Sequence, residues 1–522
     1  MPTLTIDGQA VEVDGGATVL DAASKLGINI PTLCHREGLQ AETSCLVCVV
    51  KVDGRDRLLP SCATVAVEGM RVESESDEVR AARRTALELL LGDHLGDCLG
   101  PCHTVCPAQM DIPAMIRLIA AGKLDEAVAV VKERIPLPAV LGRICPEICE
   151  RGCRRKDVDS PVAIRLLKQR VGDHDIASAD PHVPECRPST GKRVAIIGAG
   201  PAGLSAAYYL ARDGHACTII DEREQPGGML RYGVLEVELP HGVIDAEVAS
   251  IVRLGVEILP NTRVGRDTTL DELREGYDAV LVAAGELSEE AATAIGPPLA
   301  GGKVAADRRT QMTEMDGVFV AGSTASPSQH AVRAVGSGRT AAESISQHLS
   351  GESVTGAERP FTVRIGKLKG DELAAYAEGA SMGARVEPTG ALTGGYGADE
   401  AKLEADRCLR CDCMGLEDCR LKDWSERYEA DPRRYREERR TFERDATHPS
   451  LVYESGKCIS CGLCVQIARR AGEPLGVAHI GRGFTMRVGA PFGETLADGL
   501  ASAARECAEA CPTSALVLRE DG

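Results

Sequence analysis

The sequence predicts a multidomain chain of α/β and α+β class, and three observations carry that prediction. The 522 residues are enough for three to five domains. Nineteen of the 21 cysteines fall into five groups with short internal spacings, with Cys186 and Cys217 standing apart. The stretch KRVAIIGAGPAGLSAAYYLARDGHACTIIDE runs an apolar strand into a glycine-rich turn, a helix and a second strand ending at Asp221. That is the opening unit of a parallel nucleotide-binding fold.

Composition narrows the function classes. Hydrophobic content of 43% and charged content of 26% are ordinary for a globular chain, and the net charge of −18 argues against nucleic acid as a partner. No apolar run approaches the ~20 residues needed to cross a bilayer. The opening MPTLTIDGQAVEVDGG has neither a basic leader nor an apolar core, so no secretory signal is expected and a cytoplasmic setting is. In that setting, grouped thiols read as metal ligands rather than disulfides, and soft thiolates suit iron–sulfur clusters or zinc.

Residues 1–80 begin with two alternating strands joined at Asp7-Gly8, followed by a helix. Cys34, Cys45, Cys48 and Cys62 follow with the spacing C-x10-C-x2-C-x13-C, each in or beside a loop. A zinc site or buried free thiols are the plainer readings. The spacing resembles the 2Fe-2S domain of the large iron–sulfur subunit of respiratory complex I and of NAD-reducing hydrogenases. That resemblance implies a β-grasp ferredoxin domain holding one 2Fe-2S cluster.

Residues 81–188 read as helical, with apolar three-to-four periodicity through MDIPAMIRLIAAGKLDEAVAVVKER and a break at Gly122. Two cysteine triplets flank this helical pair: Cys98, Cys102 and Cys106, then Cys145, Cys149 and Cys153. Six thiols are two short of two all-cysteine 4Fe-4S clusters. The phrases CPAQMDIPAMIRLIAAG, PLPAVLGRICP and CERGCRR resemble the N-terminal cluster domain of the glutamate synthase small subunit and dihydropyrimidine dehydrogenase. Carried over, Cys98, Cys102 and Cys153 would serve one cluster, and Cys106, Cys145 and Cys149 the other. His94 stands near the position of the family's missing cysteine and is a candidate ligand, or a histidine beside a cluster. At the family's Glu or Gln ligand this chain has Lys168, with Gln169 one position off, which leaves that fourth ligand open.

Residues 189–350 carry Gly198, Gly200 and Gly203 at the strand–helix turn. Their lack of side chains lets backbone N–H groups approach a pyrophosphate at the helix N-terminus. Asp221 stands where a carboxylate reaches a ribose hydroxyl pair. REQPGGMLRYGV, containing Gly228, and MDGVFVAGSTASPSQHAVRAVGSGRTAAESI, containing Gly322 and Ser323, resemble FAD segments of the glutamate synthase small subunit and related flavoproteins. The resemblance implies a Rossmann-like FAD domain, with Ser323 where the family usually has Asp. It also exposes a gap: YDAVLVAAG leads in the family into a separate NAD(P)H domain, whereas here the closing FAD segment follows within about thirty residues. Neither GGKVAADRR nor TGGYGADEA reads as a second nucleotide fingerprint, so the nicotinamide subdomain is expected to be missing.

Residues 351–445 read as a linker region in which Cys408, Cys411, Cys413 and Cys419 lie close enough for one metal centre, a 4Fe-4S cluster or zinc. The charged run DWSERYEADPRRYREERRTFERD reads as a solvated helical face. Residues 446–522 hold Cys458, Cys461 and Cys464 at the C-x2-C-x2-C spacing of bacterial ferredoxins. The resemblance makes Cys511, before a proline, the fourth ligand of one 4Fe-4S cluster in a C-terminal ferredoxin-like domain. Ala468 stands where the first motif usually has its fourth cysteine, so one cluster is expected and not two, and Cys507 is a spare buried thiol or a competing fourth ligand.

The whole reads as an electron-transfer chain with FAD, one 2Fe-2S cluster and two to four 4Fe-4S clusters, and with no legible catalytic residue. Such a chain is expected to be a subunit working with other oxidoreductase subunits or a soluble electron carrier. A self-sufficient NAD(P)H-dependent oxidoreductase and a scaffold with a decayed flavin site are the alternatives.

Overall fold

The computed structural model describes residues 1–390 and 394–519, so Thr393, the first residue of TGGYGADEA, lies outside the described residues. The chain divides into two compact units. One comprises residues 1–99, 360–378 and 411–522; the other comprises residues 100–359 and 379–410.

The first unit opens with the predicted hairpin, Thr3–Ile6 against Gln9–Glu12. Arg71–Glu73 pairs parallel to Thr3–Ile6 and antiparallel to Val49–Val52, giving a mixed sheet completed by Leu59–Pro60. The helix Val19–Lys25 lies on this sheet, and its start is fixed by a capping box between Thr18 and Asp21. Leu4, Ile6, Val19, Ala22, Ala23, Val50 and Val72 bury the face between them, the alternation expected of a one-sided sheet. The long helix Asp77–Asp93 follows. At the other end of the chain, Arg444–Asp445, Leu451–Glu454 and Leu516–Leu518 form a small antiparallel sheet, accompanied by the helices Leu463–Ala471 and Ala504–Ala510.

The charged run of residues 423–445 is not a solvated helical face. Its helix, Arg420–Arg427, ends at Tyr428, whose ring is buried and whose hydroxyl donates to Glu75 across 2.8 Å. Beyond it the chain runs as an irregular strap. Arg434 pairs with the buried Glu88 at 3.0 Å, Arg439 with the buried Glu372, and Arg440 with Asp93. Charge density alone reads as solvation. The partners that convert it to packing come from residues far off in sequence.

The second unit is a helical layer joined to a five-stranded parallel sheet. The strand order is Val318–Val320, Ala279–Val282, Arg193–Ile197, Ala216–Ile220, Glu257–Leu259. The sheet is buried on both faces, as parallel sheets are. One face is covered by Pro201–Arg212 and Ala331–Leu349, packed on each other. Pro138–Ile144 and Ile164–Ala177 pack so closely that a Cβ on Gly172 would stand 2.3 Å from the Ala139 nitrogen. The glycine is therefore required by the helix crossing. Between Val282 and Val318, where a second nucleotide subdomain was expected to be missing, stand only the helix Glu289–Ile295 and a hairpin of Leu299–Ala300 with Lys303–Val304.

Candidate cofactor and cluster sites

In the second unit the strand Arg193–Ile197 ends at Gly198, whose φ of 108° turns the chain into the helix Pro201–Arg212. Gly203 faces back onto this turn: a Cβ there would meet the Gly198 carbonyl oxygen at 1.9 Å. A Cβ on Gly200 would meet nothing within 4 Å, so its backbone fronts open space. That space is a cavity of about 1220 Å³, with Gly198, Gly200, Asp221, Gly228, Gly322 and Ser323 all in its wall. Gly203 stands behind the wall and sets the turn. Asp221 ties the loop together. One carboxylate oxygen accepts from the Ala199 N–H at 2.5 Å and the other from the Arg223 N–H at 2.8 Å. Ser323 donates to the Ser328 carbonyl oxygen at 3.1 Å.

The same cavity is walled on another side by Arg143, Cys145 and Arg165. Cys145 belongs with Cys106 and Cys149, and the largely buried Lys168 lies within electrostatic reach of this group. Burial pushes the Cys106 and Cys149 thiols up, and Lys168 opposes it. The residue that the sequence offers only as a non-ligand is thus a buried cation beside three thiols. The Gln169 amide donates to Asp173 at 3.4 Å. Cys102, Cys153 and Cys408 also pack against the core of this unit. Burial raises the Cys153 thiol, with Arg407 acting against it.

In the first unit the four cysteines of residues 1–80 form two pairs. Cys48 and Cys62 bring their sulfurs to 3.4 Å, and Cys34 and Cys45 share a hydrogen bond. Within each pair one thiol donates to the other, which holds Cys34 down to about 5 and Cys48 to about 7 and pushes their partners Cys45 and Cys62 up. Each pair thus offers one ready thiolate and one thiol that must lose its proton to bind iron.

Cys458, Cys461, Cys464, Cys507 and Cys511 line one small enclosed space. The loop curls around it through left-handed Ser460 (φ 53°) and Gly462 (φ 75°). Backbone N–H groups point at sulfur: Ser460 to Cys458 at 3.4 Å, Leu516 to Cys511 at 3.5 Å. Cys507, read from sequence as spare, is in the same lining and directs its thiol at the Cys464 carbonyl, 3.7 Å away. Arg420, absent from the sequence reading, donates to the Ala510 carbonyl at 2.8 Å. It lies within electrostatic reach of Cys461, Cys511 and Cys45.

Cys98, Cys413 and Cys419 are the remaining buried thiols of this unit, beside His94, Glu454 and Lys457. His94 is held down to about 3, first by burial and then by Lys457, which keeps its imidazole neutral. Its Nδ1 has no hydrogen-bond partner among the described residues. Lys457 directly precedes Cys458 in the sequence, and no spacing rule marks it.

Three stretches of the chain match known domain families. Residues 1–77 match the family of 2Fe-2S iron-sulfur cluster binding domains. Residues 96–179 match dihydropyrimidine dehydrogenase domain II, 4Fe-4S cluster, and residues 196–255 match an NAD(P)-binding Rossmann-like domain. The chain is 44% identical over 206 residues to the NADP(+)-dependent formate dehydrogenase subunit beta of Moorella thermoacetica, a match covering 35% of this chain and 29% of that one. It is 42% identical over 189 residues to the NADPH-Fe(3+) oxidoreductase subunit beta of Geobacter sulfurreducens, covering 35% and 28%. It is 34% identical over 182 residues to the glutamate synthase [NADPH] small chain of Bacillus subtilis, covering 34% and 36%. The chain thus matches well under half the length of each of these relatives. The multidomain fold class, the two iron–sulfur domain types and the Rossmann-like nucleotide domain expected from the sequence are borne out.

Proposed function

We propose that the chain is an electron-transfer iron–sulfur flavoprotein and a subunit of a larger oxidoreductase, with FAD in the cavity of the second unit. One observation carries the reading. The glycine turn that would take a pyrophosphate and the thiol of Cys145 are walls of the same cavity. FAD bound there would supply an exchange between two-electron and one-electron chemistry. The chain's own part is to bind and orient: Gly198 and Gly200 present backbone, Asp221 holds the loop closed, and Arg143 and Arg165 bring positive charge to the Cys145 side. Cys34, Cys45, Cys48 and Cys62 hold a 2Fe-2S cluster. Cys106, Cys145 and Cys149 hold one 4Fe-4S cluster, and Cys458, Cys461, Cys464 and Cys511 hold another.

The names of the relatives support a partnership with other subunits, because the Moorella and Geobacter proteins are each a beta subunit. All 21 cysteines are free of disulfides, which supports a reducing compartment, the cytoplasm. No helix of the described residues is long and apolar enough to cross a membrane.

A second reading has an observation of its own. The match of residues 196–255 to NAD(P)-binding domains favours a nicotinamide dinucleotide in the same cavity. The test is to purify the full chain anaerobically, release its bound nucleotide with acid and identify it. FAD supports the flavoprotein reading. A nicotinamide dinucleotide with no flavin would replace it with the second.

A further inference from the structure

We propose that Cys98, Cys413 and Cys419 are ligands of a single 4Fe-4S cluster, built from two stretches of chain some three hundred residues apart. The regrouping removes Cys98 from the triplet in which it stands in sequence, and removes Cys408 from the group that follows it. It rests on the reading of the chain as an iron–sulfur protein but not on the flavin.

The geometry of the first unit points to it. The Cys413 N–H donates to the Cys98 carbonyl at 3.2 Å, which locks the two cysteine backbones together. Cys98 receives the Val363 N–H on its sulfur at 3.4 Å, and the neighbouring Asp97 carboxylate accepts from Ile365 at 2.9 Å. Residues 363–365 therefore fix Cys98 in place. Cys98 and Cys419 lie in one buried apolar group with Val363 and Leu421. Cys413 and Cys419 are the thiols within electrostatic reach of Cys98. Cys408 falls in the other unit, where, like Cys102 and Cys153, it packs against that unit's core.

Charge makes the second, independent argument. Lys457 and Arg444 are both buried, with side chains 4% and 9% exposed, and both hold the same carboxylate, Glu454, itself 5% exposed. Arg444 reaches it at 2.7 Å. Two buried cations on one carboxylate line this side of the site with positive charge. Lys457 directs its remaining reach at a sulfur, donating to Cys413 at 3.3 Å. Arg444 lies within reach of Cys411. Thiolates around a 4Fe-4S core carry net negative charge, which this cationic wall faces. His94, buried beside Lys457 with its Nδ1 unpartnered among the described residues, borders the site.

The test uses the full chain, reconstituted anaerobically with ferrous iron and sulfide. It reads iron per chain and the low-temperature EPR spectrum after dithionite reduction. C98A, C413A and the double variant are each expected to lose the same signal and about four irons, the double losing no more than either single. C408A is expected to retain that signal. The proposal is overturned if the double variant loses two signals. Equally, it is overturned if C98A loses the signal lost by C102A, or if C408A loses the signal lost by C413A. A chain lacking iron throughout would instead sink the iron–sulfur reading. Should cysteine variants fail to fold, K457Q keeps every ligand. A redox titration should then show one 4Fe-4S signal moved to lower potential and the others unmoved. No shift in any signal would contradict the proposal.

Discussion

The sulfurs of Cys48 and Cys62 stand 3.4 Å apart, close enough for both thiolates to bind one iron of the proposed 2Fe-2S cluster. The other pair, Cys34 and Cys45, shares its own hydrogen bond. Replacing either member of a pair should therefore have the same consequence. C48A and C62A are each expected to abolish the 2Fe-2S EPR signal while leaving every 4Fe-4S signal. Loss of the signal in only one of the two variants would contradict the pairing.

Gly203 stands behind the nucleotide loop, and any side chain there collides with the Gly198 carbonyl. G203V should displace the turn and lower the affinity for the bound nucleotide by at least about tenfold, or ~1.4 kcal/mol. Iron content should stay unchanged. The check is nucleotide and iron per purified chain. Full nucleotide occupancy in G203V would show that the turn is not what holds it.

Lys168 places a buried positive charge beside Cys106, Cys145 and Cys149. A positive charge favours the reduced, more negative state of a cluster. K168Q is therefore expected to shift one 4Fe-4S signal to lower potential in a redox titration, and not to abolish it. Abolition would make Lys168 structurally indispensable, and no shift would place it away from the cluster.

Acid should loosen the first unit through Glu372. Its carboxylate pairs with Arg439 and accepts the Lys369 N–H at 2.6 Å and the Phe442 N–H at 2.8 Å, which hold it down to about 2 from an ordinary 4.5. A carboxyl lowered by folding contributes stability that is complete above pH 4.5 and is lost as the pH falls toward 2. The contribution is about 3 kcal/mol. E372Q should be less stable than the parent at neutral pH and should lose less on acidification. Parallel acid melts of the two would contradict this assignment.

Much of this was legible in the sequence because it is local. The hairpin at Asp7-Gly8, the helix that follows it and the turn at Gly198 each need only a few consecutive residues to specify them. Cys34, Cys45, Cys48 and Cys62 also close a site within one stretch of chain. What was not legible is long-range. The strap around Tyr428 looked like solvated charge because Glu75, Glu88 and Glu372 are distant partners. Lys457, Arg444 and Arg420 obey no spacing rule and acquire meaning only from the sulfurs beside them. Between Val282 and Val318 a short helix and a hairpin occupy the interval in which the sequence carries no second glycine fingerprint.

In the proposed function the flavin and the clusters exchange electrons within this chain, and the nicotinamide chemistry lies with a partner. The most direct measurement is an anaerobic titration of the purified full chain with NADH, then NADPH, then dithionite, followed by flavin and cluster absorbance. The account expects bleaching of both chromophores by dithionite and by neither nicotinamide. Rapid bleaching by NADH or NADPH alone would contradict it and make the chain a self-sufficient reductase.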